Sequence, residues 1–160
     1  MKLNMTRILF GVIFFAALIG TPASAQARSC SLTDSAGNYG FTLTGVVILG
    51  TAPAPIAAIG RATLDAGGNV SGTESRSVGG GFADETFTGT YAVNPDCTGT
   101  TTLNFYESGQ LVRTSVLSIV FDNNEREIRM AQKSLQLPNG AFLPVVIIVE
   151  ARRIFTDDGD

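Results

Sequence analysis

The sequence predicts an all-β fold, a single antiparallel up-and-down β-barrel of about seven or eight strands. Three observations support this prediction. Apolar and polar residues alternate with a period of two along most of the chain after residue 38, helical periodicity is nearly absent, and short segments rich in Gly, Asn and Asp separate the alternating runs. A β-sandwich is the alternative. We favour the barrel because closing a meander of neighbouring strands removes its exposed edges.

The first 25 residues have the composition of a cleavable signal peptide. Lys2 and Arg7 form a positive segment, residues 8–19 are apolar, and Ala23-Ser24-Ala25 has the small side chains that a signal peptidase selects. We therefore expect cleavage between Ala25 and Gln26. An apolar run of roughly 12 residues is too short to cross about 30 Å of hydrocarbon as a helix, which argues against a retained anchor. The protein is predicted to be periplasmic or extracellular, without stable membrane insertion after cleavage.

Each predicted strand is an alternating run that ends at a turn signal. The alternation is clearest in residues 85–93, where Thr86 and Thr88 are predicted to face outward and Phe87 and Tyr91 inward. Hydroxylated outward positions argue against an outer-membrane barrel, whose outer face is apolar. In chain order, the predicted strands are 39–49, 56–64, 70–78, 85–93, 98–106, 111–121, 126–135 and 145–155.

The connections and the flanking segments complete the predicted organisation. Residues 65–69 are predicted to form a hairpin turn rather than a calcium site, because one Asp is too few for that cation. Gly79-Gly80-Gly81 is predicted to be a flexible loop, and residues 145–149, all apolar, a core strand. The chain then divides into a signal peptide (1–25), an N-terminal arm tied by a disulfide (26–38), the barrel domain (39–156) and an acidic tail (157–160).

The two cysteines, Cys30 and Cys97, are predicted to form one disulfide. An even pair in an exported protein is typical of a structural bond. A catalytic thiol is the alternative, but neither cysteine has a neighbouring His or Lys to lower its pKa.

Composition excludes several function classes. The chain has no His and no Trp, and 11 Lys and Arg residues stand against 14 Asp and Glu. Without histidine there is no Ser-His-Asp or Cys-His catalysis and no zinc site of the usual imidazole type. Removing residues 1–25 takes away Lys2 and Arg7 and no acidic residue, which leaves nine basic against 14 acidic residues, a net charge of −5. We expect no nucleic-acid partner, because such a partner needs a basic face.

Three segments resemble a largely uncharacterised family of small secreted bacterial all-β proteins. They are Tyr39-Gly40-Phe41, Asp65-x-x-Gly68-Asn69-x-x-Gly72 and Gly89-Thr90-Tyr91-x-Val93-Asn94-x-Asp96-Cys97-Thr98-Gly99-Thr100. The outline is also similar to allene-oxide-cyclase-like, dirigent-like and calycin barrels. The resemblance implies a small exported barrel, and it carries no catalytic residue into this chain because fold likeness does not transfer function.

Two charged residues share strand parity with apolar neighbours, which makes them candidate ligand anchors. Arg113 has the parity of Leu117, and Glu150 has the parity of Ile148. A charge inside a barrel must be paired or hydrogen-bonded. One interpretation makes Arg113 and Glu150 anchors for a polar group of a bound ligand, with Tyr91 as a third contact.

A purely structural interpretation places Glu150 near a mouth of the barrel, paired with Arg152 or Arg153. The predicted function is a secreted, non-catalytic barrel that binds a small apolar ligand or a partner surface, with no metal and no cofactor. The oligomeric state is left open. The alternatives are a cyclase or isomerase that acts by positioning its substrate, and a structural or adhesive component of the cell exterior. An interior cavity of about 300 Å³ or more would favour ligand binding or catalysis.

Overall fold

The structure, a computed structural model, describes residues 29–154, which form one short helix and nine strands. The predicted signal peptide, its cleavage site between Ala25 and Gln26, and the acidic tail 157–160 lie outside the described residues. The elements in chain order are α1 (Leu32–Ser35), β1 (Gly37–Leu49), β2 (Ala52–Leu64), β3 (Asn69–Val78), β4 (Gly81–Val93), β5 (Thr98–Glu107), β6 (Gln110–Asp122), β7 (Glu127–Gln136), β8 (Phe142–Leu143) and β9 (Val145–Arg153).

The strands close into an antiparallel up-and-down barrel, which confirms the predicted fold class. Consecutive strands pair from β1 to β7, and β9 pairs with both β7 and β1. Eight strands therefore form a ring without a free edge. The ninth, β8, is a two-residue addition that pairs with β7. Within residues 29–154, no helix has the length and apolar character needed to cross a bilayer.

Strict alternation directs one set of side chains into the barrel. Phe87 and Tyr91 on β4 are buried as predicted. The Phe87 ring packs between the rings of Phe41 and Phe105, with centroid distances of 5.9 Å and 5.3 Å. Gly72 faces the Phe87 ring, and a Cβ at this position would overlap both the ring and a carbonyl oxygen of β2. The aromatic centre thus depends on an inward glycine.

Two strands begin four residues earlier than the sequence predicts, at Ala52 and Gly81. Residues 52–55 include two prolines, which argue against a strand, but here only β1 pairs with them, since pairing with β3 begins at Ile56. The prediction of a flexible loop at Gly79-Gly80-Gly81 is wrong. Gly79 and Gly80 adopt φ values of 55° and 91° in a tight turn that joins β3 directly to β4.

The N-terminal arm lies across one end of the barrel. The predicted disulfide between Cys30 and Cys97 is present, with its Cα atoms 5.0 Å apart, and it ties the arm to the turn between β4 and β5. Leu32 packs against the core, and Ser35 is fully buried. A disulfide is typical of proteins that fold in an oxidising compartment.

Hydrogen bonds to backbone carbonyls hold the arm in place. The Tyr39 hydroxyl donates to the carbonyl oxygen of Ser35 at 2.9 Å. One nitrogen of the Arg153 guanidinium, Nη2, donates to the carbonyl oxygens of Asp34 and Ala36 at 2.6 Å and 2.7 Å. The first and last strands of the barrel therefore meet the arm at the same end.

The outer surface is hydroxylated on one side and apolar on another. Threonine and serine face outward on β3, β4 and β5. Residues 145–149, predicted as a core strand, contribute to both faces because a barrel strand alternates. Ile147 and Val149 are buried, whereas Val146 and Ile148 are 75% and 56% exposed. Further exposed apolar side chains near this part of the wall are Leu49, Ile59 and Phe142.

Replacing both cysteines with serine should lower the free energy of unfolding by about 4 kcal/mol, because the bond restricts the unfolded chain across a sequence separation of 67 residues. Urea unfolding followed by circular dichroism measures the change. Reduction of the wild-type protein with dithiothreitol should produce a similar loss. A difference of less than about 1 kcal/mol in both experiments would contradict a stabilising role for the bond.

Candidate functional site

Four charged side chains meet inside the barrel, toward the end opposite α1. Glu74 on β3 and Glu85 on β4 are direct cross-strand partners, and Arg113 reaches both of them from β6. Arg113, Glu74 and Glu85 are only 8%, 4% and 3% exposed. Arg76, near the end of β3, is partly buried and completes the cluster. The interior thus contains two carboxylates and two guanidinium groups.

Every carboxylate of the cluster is ion-paired. Arg113 Nη2 lies 2.6 Å from Glu74 Oε1, and Arg113 Nη1 donates to Glu85 Oε2. The other carboxylate oxygen of Glu85 accepts from Arg76 Nε at 2.7 Å. The Arg113 guanidinium also lies 3.7 Å from the centroid of the Phe105 ring, a cation–π contact. These contacts offset the cost of removing four charges from water.

Burial raises the pKa of Glu74 to about 7, from an ordinary value of 4.5. The Arg113 guanidinium favours the charged carboxylate and the neighbouring Glu85 opposes it, but the loss of water contact has the largest effect. Glu74 therefore takes up a proton near neutral pH. This proton exchange occurs inside the barrel, at a carboxylate bound to arginine.

The cavity left in the barrel is small. Its volume is about 70 Å³, which is room for roughly five water molecules. Its walls are mainly apolar, with Glu74, Arg113 and a few neutral polar side chains among them. Sites for drug-sized ligands usually have about 300–1,000 Å³. The interior is therefore mainly a packed core. Among the described residues, no group of three or more His, Cys, Asp or Glu side chains is arranged to hold a metal ion.

Two of the three predicted ligand anchors lie inside the barrel. Arg113 points inward, where its two terminal nitrogens are bound by Glu74 and Glu85. Tyr91 is buried at the other end, and its hydroxyl donates to the Asp65 carbonyl at 2.6 Å. Burial raises the pKa of Tyr91 to about 12, so it remains a hydrogen-bond donor. Both residues are engaged within the chain.

The inward placement of Glu150 is wrong. Its side chain is exposed on the outer face of β9, because Ile147, Val149 and Ala151 are the buried positions of that strand. In the register of the sheet, Glu150 lies opposite Arg129 on β7. It therefore does not meet Arg113, and the structure does not bring the three predicted anchors together.

The sequence interpretation overlooked the carboxylates that Arg113 binds. A usable signal exists, because Glu74 shares the parity of the inward Val70, and Glu85 shares that of the inward Phe87. The polar character of β3 hides this signal.

A concavity larger than the interior cavity lies on the outer surface of the barrel. It is a groove of about 960 Å³ that crosses the outer face of β9, β1, β2, β3 and β4 and ends at Tyr106 and the turn after β5. Its volume falls within the usual range for ligand sites. The groove carries exposed charges of both signs and several hydroxyl groups. It can form many hydrogen bonds with a polar ligand.

Cross-strand register arranges the groove side chains in two rows. The first runs from β9 to β5 through Arg152, Gly40, Arg61, Thr73, Thr86 and Tyr106. The second runs from β9 to β4 through Glu150, Thr42, Ile59, Ser75 and Asp84. With strands about 4.8 Å apart, the first row extends about 24 Å along the sheet. The groove is therefore elongated across the strands.

Replacing Arg113 with methionine should lower the free energy of unfolding by about 3–5 kcal/mol, because Glu74 and Glu85 lose a buried counter-charge. Adding Glu74→Gln should recover part of the loss by removing one buried carboxylate. Arg129→Met is the matched control, since Arg129 forms an exposed ion pair with Asp122, and its effect should be below about 1 kcal/mol. Equal losses in Arg113→Met and Arg129→Met, measured by urea unfolding, would contradict a structural role for the cluster.

The protein should lose stability as the pH rises from about 5 to 8. The pKa of Glu74 is higher in the folded state, so its contribution is present below about 4.5 and is lost as the pH passes through about 7. No histidine titrates in this interval. We expect urea unfolding to show a fall on the order of 1–3 kcal/mol, and a smaller fall in Glu74→Gln.

Glu107→Gln is the control for this pH dependence, because Glu107 is exposed at the end of β5. It should keep the wild-type slope of stability against pH. The same slope in all three proteins would show that Glu74 does not cause the change.

Comparisons with models of protein families, with curated proteins and with solved structures found no match to this chain.

Proposed function

We propose that the protein is an exported, non-catalytic binding barrel that takes its ligand in the outer groove rather than in the interior. The contrast between the two concavities carries this proposal. The groove has about 960 Å³ and the interior cavity about 70 Å³. Of these two concavities, the groove is the one with the volume of an ordinary ligand site.

The interior offers little to a ligand. A small apolar molecule, the ligand that the sequence favours, would need more space than the cavity has. Arg113 is bound by two carboxylates and Tyr91 by a backbone carbonyl, so a ligand would have to replace these contacts. Displacing buried ion pairs costs several kcal/mol.

The lack of histidine and the burial of the paired carboxylates favour a binding role over catalysis. The chain has no histidine, and the two carboxylates of the interior cluster, Glu74 and Glu85, are paired with arginine. A general acid or base must reach the substrate, whereas Glu74 and Glu85 are less than 5% exposed.

Export is part of the proposal. The disulfide between Cys30 and Cys97 fits folding in an oxidising compartment, and residues 1–25 have the composition of a signal peptide. We propose the periplasm or the extracellular space as the place where the groove meets its ligand.

The test is capture with a variant whose groove is filled. Thr73 is exposed at the centre of the groove, so Thr73→Trp should block it, while Thr100→Trp makes the same change on the outer face of β5 away from the groove. Each purified protein is immobilised and incubated with the culture medium and cell-wall extract of the producing organism, and retained molecules are identified by mass spectrometry. Wild type and Thr100→Trp should retain the same molecule, and Thr73→Trp should retain at least about tenfold less.

Retention that is equal in Thr73→Trp and Thr100→Trp, or no retention by the wild type, would contradict binding in the groove. Thermal unfolding of the three proteins checks that both tryptophan variants are folded. A retained apolar molecule that is unaffected by Thr73→Trp would instead indicate binding inside the barrel.

A further inference from the structure

We infer that the ligand of the outer groove is an uncharged oligosaccharide. This inference rests on the proposed binding function and adds the chemical class of the ligand. It follows from the charge balance of the groove, from its hydroxyl groups and from the position of Tyr106.

The exposed charges of the groove cancel. Arg61 and Arg152 stand against Asp84 and Glu150, and all four side chains are exposed. A polyanion such as a nucleic acid would require an excess of basic groups, which this groove does not have. A polycation would require an excess of acidic groups. The balance favours a ligand that is polar but has no net charge.

Hydroxyl groups line the centre of the groove. Thr73 and Thr86 are cross-strand partners on β3 and β4, so their side chains stand about 5 Å apart. Thr42 and Ser75 lie in the adjacent row. A hydroxyl both donates and accepts hydrogen bonds, as do the hydroxyls of a sugar. Repeated hydroxyls along a groove therefore match a ligand that itself presents hydroxyls repeatedly.

Charged side chains of both signs strengthen this match. Arg61 forms no hydrogen bond or ion pair with residues 29–154, so its fork of donors is available to two acceptors at once. Asp84 accepts a hydrogen bond from Ser75 at 2.6 Å and has a second carboxylate oxygen. Neighbouring hydroxyls on a sugar ring offer a pair of acceptors or donors of suitable geometry for such groups.

Tyr106 supplies an aromatic surface at one end of the groove. It is partly exposed and is the cross-strand partner of Thr86. An aromatic ring with a polar tip can pack against the C–H face of a sugar while its hydroxyl stays hydrated. Ile59, 65% exposed in the other row, adds a second apolar contact. The groove therefore combines apolar contacts with hydroxyl groups and charged side chains.

Other elongated ligands fit less well. A peptide that binds by strand addition needs an open sheet edge, and the closed barrel offers none at the groove. A lipid chain offers no hydrogen-bond partner to the exposed charges of Arg61, Asp84 and Glu150. An oligosaccharide of several rings suits a row of side chains about 24 Å long.

Isothermal titration calorimetry tests the inference with cellohexaose, maltohexaose and N-acetylchitohexaose, at low and high sodium chloride. We expect saturable binding of at least one of the three. The affinity should change by less than about twofold between the two salt concentrations, because an uncharged ligand has no ionic attraction to screen.

Tyr106→Ala should weaken that binding by about tenfold or more. Phe82→Ala is the matched control, since Phe82 is 69% exposed near the start of β4 and is not among the residues that line the groove. This variant should bind within about twofold of wild type. Thermal unfolding verifies that both variants are folded.

Three results would overturn the inference: no binding of any of the three sugars, equal binding by Tyr106→Ala and Phe82→Ala, or a tenfold loss of affinity at high salt. Failure of the inference is distinct from failure of the proposed function. If the sugars do not bind but Thr73→Trp still abolishes capture of a native molecule, the groove is a binding site and the ligand class is wrong.

Discussion

The buried ion cluster determines what the interior of this barrel can do. Arg113 places a positive charge between Glu74 and Glu85, and each of these charges would be costly to bury alone. The guanidinium also packs on the Phe105 ring, so the cluster is joined to the aromatic core. The cavity that remains has about 70 Å³. An eight-stranded barrel of this kind is a core with a charged centre, and its interior leaves little room for a ligand.

The other end of the barrel is closed by a different kind of contact. A four-residue helix lies there, and a helix of this length is not stable by itself. It is held by the disulfide and by hydrogen bonds from Tyr39 and Arg153 to the backbone carbonyls of residues 34–36. The two ends therefore depend on different conditions. Reduction acts on the arm, and pH acts on the ion cluster at the far end.

How well the sequence predicts which face a side chain occupies depends on how strictly polar and apolar residues alternate in that strand. In residues 85–93 polar and apolar residues alternate without exception at the centre, and the predicted faces of Thr86 and Phe87 are correct. In residues 145–149 every residue is apolar, so the pattern carries no parity, and Glu150 is assigned to the wrong face. Which charges meet is a different question. It depends on cross-strand register and on closure of the ring, which bring β6 opposite β3 and β4, and no single strand encodes either. The groove escapes prediction for the same reason.

The excess of arginine over lysine has a physical explanation in the contacts that the arginines form. Outside residues 1–25 the chain has eight arginines and one lysine, Lys133. Arg113 binds two carboxylates through separate nitrogens and stacks on an aromatic ring, and Arg153 reaches two carbonyls, tasks that suit the planar guanidinium better than an ammonium group. Arg61 has the same planar donors but lies exposed in the groove. The geometry that lets arginine satisfy two acceptors inside the barrel is thus also present on its surface, where the proposed oligosaccharide would supply the paired polar groups.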